Sequence, residues 1–350
     1  MELIHGGDRE GYRGRYGREP VDFSANISPL GMPEGVKIAA VEALARAECY
    51  PDPLCRRLRK ALGQGAGMEP DHIICGNGAA DLVYRLMLAV RPRQVLVTAP
   101  SFAEYEQAAR LAGSRVVYQD LSAERNFRLD ESIVEKIGQD TDIVFLCEPN
   151  NPTGVCTPMA LLERILERCS SCGCFLAVDE CFLDFVERPR ERSMERFLDS
   201  YKNLILFRAF TKIYAMAGIR LGYCLCSDRE LLQKMALAGQ PWPVSVVAQE
   251  AGIAALKETE YVARVRQLVS REREYLSYGL KELGCFVWPG EANFLLFRSP
   301  AGQLGKRMEE KGFLLRSCNN YRLLGDQHYR IAVKTHPENQ ALLYAMKEVL

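Results

Sequence analysis

Short apolar runs alternate with longer amphipathic stretches over most of this chain. Segments 72–75, 94–98, 115–118, 143–147, 174–178, 203–207 and 221–226 read as strands. The stretches between them, among them one ending near Val90, 101–112 and 158–171, carry helical spacing. Such alternation predicts an α/β fold with a mostly parallel sheet between helices. Toward the amino terminus the pattern is lost. Residues 1–30 are polar and rich in glycine (Gly6, Gly7, Gly11, Gly14, Gly17) and read as an irregular arm. Pro33 opens a helix to about Ala47 with Val36, Ala40, Val41 and Leu44 as its apolar face. A helix from about Pro53 to Leu62 is expected to stop at the glycine cluster 63–67. Residues 246–283 read as one long amphipathic helix. Segments 285–288, 294–297 and 329–333 read as strands of a smaller α+β unit, closed by a helix over 337–349. The expected division is an arm at 1–30, a large domain at 48–245, and a small domain from 31–47 with 246–350.

Composition narrows the function. The 350 residues hold 45 basic and 45 acidic side chains, which gives no support for a nucleic-acid or membrane-surface partner. No run of 18 apolar residues occurs and the first 20 residues lack the core of a signal peptide, so a cytoplasmic protein is expected. Thirteen cysteines, many inside apolar strands, suit small buried residues in a reducing compartment better than a disulfide framework, and with four histidines no metal site is expected.

The chemistry concentrates at strand ends. The run 203–207 leads through a short turn to Lys212, and Arg220 follows eight residues on. A bare lysine charge at the end of a buried strand is costly, whereas an amine tied up as a Schiff base is not. A lysine for an aldehyde, with an arginine for a phosphate nearby, suggests pyridoxal 5′-phosphate (PLP). Upstream, the run 142–148 breaks into Asn151-Pro152-Thr153-Gly154, and 174–178 ends on Asp179-Glu180. Open α/β sheets bind ligands at the carboxyl ends of their strands. Asp179 suits the pyridine nitrogen, whose proton a carboxylate would hold. Gly78-Ala79-Ala80 opens a helix after a strand, so its free amides, with Thr211 and Arg220, suit the phosphate.

Asn151, Asp179, Lys212 and Arg220, in this order, resemble the fold-type-I PLP enzymes of the class I/II aminotransferase family. The resemblance covers almost the whole chain. It implies that Asn151 bonds the cofactor's O3′, that Tyr105 stacks on the pyridine, and that Tyr50 reaches the phosphate of a neighbouring subunit in a homodimer with shared sites. It also implies that Arg330 clamps the carboxylate of an amino-acid substrate, with Arg316 close by. The sequence is similar to the branch holding histidinol-phosphate aminotransferase and L-threonine-O-3-phosphate decarboxylase. The segments around His5 and Asn26, both expected on the substrate side, lean to the decarboxylase, as does Phe182 where the aminotransferase pattern has Tyr. Ala209 is a further departure, since related sequences often carry a hydroxyl there. Two other readings stand beside these: a PLP-fold regulator without turnover, and a nucleotide-binding α/β protein suggested by the glycine loops alone.

Overall fold

A computed structural model describes residues 6–350. In chain order its strands are β1 (Val21–Asp22), β2 (Ile73–Gly76), β3 (Gln94–Ala99), β4 (Arg115–Asp120), β5 (Ile143–Cys147), β6 (Phe175–Asp179), β7 (Leu204–Ala209), β8 (Gly222–Leu225), β9 (Phe286–Val287), β10 (Phe294–Arg298), β11 (Phe313–Leu314), β12 (Arg316–Ser317) and β13 (His328–Ala332). Seven of them form one sheet in the order β2-β8-β7-β6-β5-β3-β4. Only β8 runs against the rest. β5 is wholly buried, and β6 and β7 nearly so, which is why their sequences read as continuous apolar runs rather than alternating ones. Separate apolar clusters pack the two faces of this sheet. The chain leaves β3 toward β4 on one side and returns to β5 on the other. That reversal opens a crevice at the carboxyl ends of β3 and β5.

The second sheet is antiparallel, in the order β12-β13-β10-β9. A third cluster fills the space between it and the helices Thr259–Glu282 and His336–Val349. The indole Nε1–H of Trp288 donates to the Ala123 carbonyl at 3.3 Å and ties the end of β9 to the large sheet's periphery.

Four segments differ from the sequence reading. The amino-terminal arm is not irregular: Arg9–Tyr16 is a helix, capped by Asp8, whose carboxylate accepts from the Gly11 amide at 3.0 Å, and stopped by Gly17 in the left-handed region (φ 66°). Gly11 and Gly14 lie inside that helix. Buried Tyr12 secures it, donating to the Glu309 carbonyl at 2.9 Å. β1 then pairs parallel with β11, so the arm is part of the smaller layer. Second, the helix expected to stop at Gly63 runs from Arg56 to Ala66, and only Gly67 (φ 67°) ends it. Third, residues 246–283 form two helices, Val246–Ala255 and Thr259–Glu282, broken at 256–258. Fourth, the helix after Pro33 spans Glu34–Ala43 and buries Val36, but Val41 and Leu44 point into solvent.

Candidate active site

The crevice at the carboxyl edge of the large sheet collects most of the residues singled out above. Gly78, Ala79, Ala80, Asn151, Asp179, Thr211, Lys212 and Arg220 line one cleft of about 550 Å³, part of it open to solvent. Each arrives by a short path from a strand end. β2 leads to the helix Gly78–Val90, β5 to Asn151, β6 ends on Asp179, and β7 leads to Lys212.

Asp179 is buried, and both carboxylate oxygens are occupied on the protein side. Oδ1 accepts from the Cys181 amide at 2.9 Å and Oδ2 from the Tyr105 hydroxyl at 2.6 Å. Burial raises its pKa, opposed by those two donors and by the nearby Lys212. Lys212 is half-buried. Desolvation, followed by the charge of Arg330, pulls its amine below the ordinary lysine range. The shift is in the direction that favours the neutral, nucleophilic form. The adjoining residue is equally constrained: Glu180 is buried, its amide donates to the Phe207 carbonyl at 2.8 Å, and its carboxylate receives Arg208 at 2.8 Å. This pair fastens the ends of β6 and β7, which carry Asp179 and lead to Lys212. Its sequence signals were the acid after Asp179 and the arginine four positions before Lys212, and neither was singled out.

At the other end of the cleft the backbone comes close. A Cβ at Gly222 would lie 2.4 Å from the Ala79 nitrogen, and one at Gly78 (φ 81°) 2.7 Å from Arg220 Nη2. Glycine at both positions lets β8 and Arg220 press against the helix start. No side chain caps that helix, so its first amides stay available for an anion. Arg220 itself holds a left-handed backbone (φ 64°), which costs a non-glycine residue about 1–2 kcal/mol. The Asn-Pro turn is braced from behind. Buried Glu148 accepts from the Thr157 amide at 2.8 Å and from its hydroxyl, and burial lifts the carboxyl to about 7.

The second wall comes from the smaller layer and the arm. Arg330 on β13 is buried. Its Nη1 donates to Asn151 Oδ1 at 2.5 Å and its Nη2 to the Ser24 carbonyl at 2.9 Å, while Nε has no hydrogen-bond partner among the described residues. Arg316, also buried, sits directly opposite it across the β12–β13 ladder. The Ser28 amide donates to the Lys212 carbonyl at 2.9 Å, so the segment 24–28 spans from the clamp arginine to the lysine. Asn26, in the middle of that segment, is buried with neither amide atom hydrogen-bonded among the described residues. Gly7 closes the loop with a 2.7 Å bond to Ser24 Oγ. His5 lies outside the described residues.

Two expected residues stand elsewhere. Tyr105 does not line the cleft: it is buried, its ring lies flat on Phe145 (5.0 Å, 5°) and its hydroxyl is on Asp179. Phe102, three residues earlier, lines the cleft instead. Both sit where the helix Ala103–Leu111 begins, and which of two rings faces the cleft is a matter of how that helix packs. Tyr50 is 79% exposed, away from the cleft of its own chain, and stacks on Trp242 at 4.3 Å. Cys147 and Cys181 line the cleft floor and were read only as packing residues.

Such a site combines open amides at a helix start, an amine and a buried carboxylate, with a buried guanidinium on its other wall. That is the equipment of an enzyme that holds a phosphorylated aldehyde on a lysine and works on an amino acid. The sequence model described as Aminotransferase class I and II matches residues 18–347, and the chain belongs to that family. A threonine-phosphate decarboxylase from Salmonella typhimurium is 34% identical over 94% of this chain and 91% of its own. A histidinol-phosphate aminotransferase from Symbiobacterium thermophilum is 35% identical over 94% of this chain and 90% of its own. Among solved structures, the histidinol-phosphate aminotransferase from Clostridium acetobutylicum superposes with a TM-score of 0.88 at 30% identity, covering 94% of this chain and 98% of that one. The fold is that of the fold-type-I PLP enzymes, and PLP is the family's cofactor. The residues present fit it: open amides and Arg220 for the phosphate, Lys212 for the aldehyde, Asp179 for the ring nitrogen, and Asn151 for the ring oxygen.

Proposed function

We propose that this chain is a PLP-dependent decarboxylase of a phosphorylated amino acid, with L-threonine O-3-phosphate as substrate. The observation that carries this reading is the pair of buried arginines, Arg316 and Arg330, opposite each other across one ladder, with Arg330 bonded to Asn151 of the cleft. A substrate with a single carboxylate needs one such clamp, whereas one with a carboxylate and a phosphate uses two. Arg330 is prepared for an anion, because both its protein acceptors are neutral oxygens and its Nε stays open. Asn26 adds a buried amide without a partner among the described residues. The similarity to the Salmonella enzyme supports the same substrate.

Bound PLP supplies an electron sink for the pair left at Cα. The protein decides which bond gives up that pair. Arg330 would hold the substrate carboxylate, and the orientation it imposes would decide whether that group leaves as CO2. Once CO2 has left, Lys212 Nζ would return a proton to Cα. Asp179 would accept the hydrogen bond of the protonated ring nitrogen. Phe182 lines the cleft 5.7 Å from Lys212 Nζ and has no hydroxyl to offer the cofactor, which leaves the O3′ contact to Asn151.

A second reading, amino transfer from histidinol phosphate to 2-oxoglutarate, has support in the Symbiobacterium relative. Incubation with threonine phosphate, and separately with histidinol phosphate plus 2-oxoglutarate, separates the two. CO2 from the first is the expected result. Glutamate from the second without CO2 from the first transfers the assignment.

The proposed active unit is a homodimer. Tyr50 and Trp242 form an exposed aromatic pair, with Leu54 and Leu237 also exposed, and a second copy covering them would bring Tyr50 toward the neighbour's phosphate site. A cytoplasmic location is proposed on the thirteen free cysteines. Among the described residues no helix is long and apolar enough to cross a membrane.

A further inference from the structure

Tyr105 is 1% exposed, contributes nothing to the cleft wall, and nonetheless spends its hydroxyl on the buried carboxylate there. A core tyrosine needs some acceptor, and a carbonyl would serve. This one takes Asp179 Oδ2 at 2.6 Å, while the Cys181 amide takes Oδ1 at 2.9 Å. Two donors on two different oxygens fix the rotation of the carboxylate plane, where a single donor leaves it free to turn. The tyrosine cannot yield. It is stacked on Phe145 of β5 and meets the edge of Phe102 at 5.5 Å and 76°.

From this we infer that Tyr105 is a positioning residue, which orients and sustains the Asp179 carboxylate as the partner of the cofactor's ring nitrogen. Charge makes the contact matter. A carboxylate buried at this depth loses its hydration, and a hydrogen bond to an ionised group offsets more of that loss than one between neutral groups. The acceptor in this pair is the carboxylate, because burial and Asp179 itself hold the phenol well above its ordinary range. Segment 102–105 thus has two duties. Phe102 forms the wall of the cleft, and Tyr105 holds the carboxylate in its floor. Because they share one segment, wall and carboxylate keep a fixed spacing.

The inference rests on PLP as the ligand, and the experiment keeps the two apart. Full-length protein is stripped of cofactor and titrated with PLP, with visible absorbance as the readout, in four forms: the parent, Tyr105→Phe, Asp179→Ala and the double variant. Tyr105→Phe should raise the Kd for PLP roughly tenfold in the parent background. In the Asp179→Ala background it should change Kd less than twofold, because its only route is through that carboxylate. Equal losses in both backgrounds would mark a general packing role and overturn the inference, as would a Tyr105→Phe protein that binds like the parent. The substitution keeps the ring and its stack, so a variant that failed to fold would likewise count against a role confined to positioning. A parent that took up no PLP would instead refute the cofactor assignment itself.

Discussion

The two walls of the cleft are built differently. On the large-sheet side the buried carboxylates are already matched. Both Asp179 oxygens have donors, Glu180 has Arg208, and Glu148 has Thr157. On the side formed by the arm and the smaller sheet, Arg330 keeps an open Nε and Asn26 has neither amide atom paired among the described residues. Buried polar atoms left unpaired cost about 1–3 kcal/mol each, so a fold retains them where a ligand completes them. On the proposed function, the contrast is between a wall whose carboxylates are set in advance for the cofactor and one whose open bonds the substrate would complete.

This contrast breaks most decisively at the lysine. Lys212→Ala should lower turnover by a factor of at least about 10³ and abolish borohydride fixation of PLP, while substitutions on the second wall should leave fixation intact. Fixation in the Lys212 variant would move the covalent link elsewhere. Next in size is Arg330→Ala. On the proposed role the substrate carboxylate loses its guanidinium, and kcat/KM should fall by about 10²-fold or more while cofactor affinity changes little. A large loss of PLP from that variant would erase the distinction between the walls. The smallest effect concerns stability. Glu148 has a folded pKa of about 7 against 4.5 ordinarily, so the native state holds the extra proton between those values. Its contribution is complete below about pH 4.5 and is lost as pH rises through 7, roughly 3 kcal/mol in total. In Glu148→Gln, denaturant unfolding of the cofactor-free protein should show a flatter fall in stability over that window. An unchanged slope would assign the titration to another buried acid.

The large-sheet wall was readable in the sequence because its residues stand at the ends of apolar runs, where period and position coincide: Asp179 closes one run and Asn151 and Lys212 follow two others. The other wall was reached only through family resemblance, since nothing local links Ser24 to Arg330. Tyr105 and Phe102 show a finer limit. They lie one helical turn apart, and helical spacing makes them neighbours without saying which faces the cleft. Val41 and Leu44 carry the same ambiguity in reverse, being apolar at core spacing yet exposed. The helix Arg9–Tyr16 was hidden because Gly11 and Gly14, ordinarily breakers, are held in it by the Asp8 cap and the anchoring of Tyr12.

All seven strands of the large sheet lie between residues 73 and 225, whereas Arg330 stands on β13, after them, and bonds Ser24, before them. A chain emerging from the ribosome therefore presents the whole large sheet before β13 exists. The two walls can meet only once β13 has joined the segment around Ser24, so the cleft is assembled after the sheet that carries most of its polar groups.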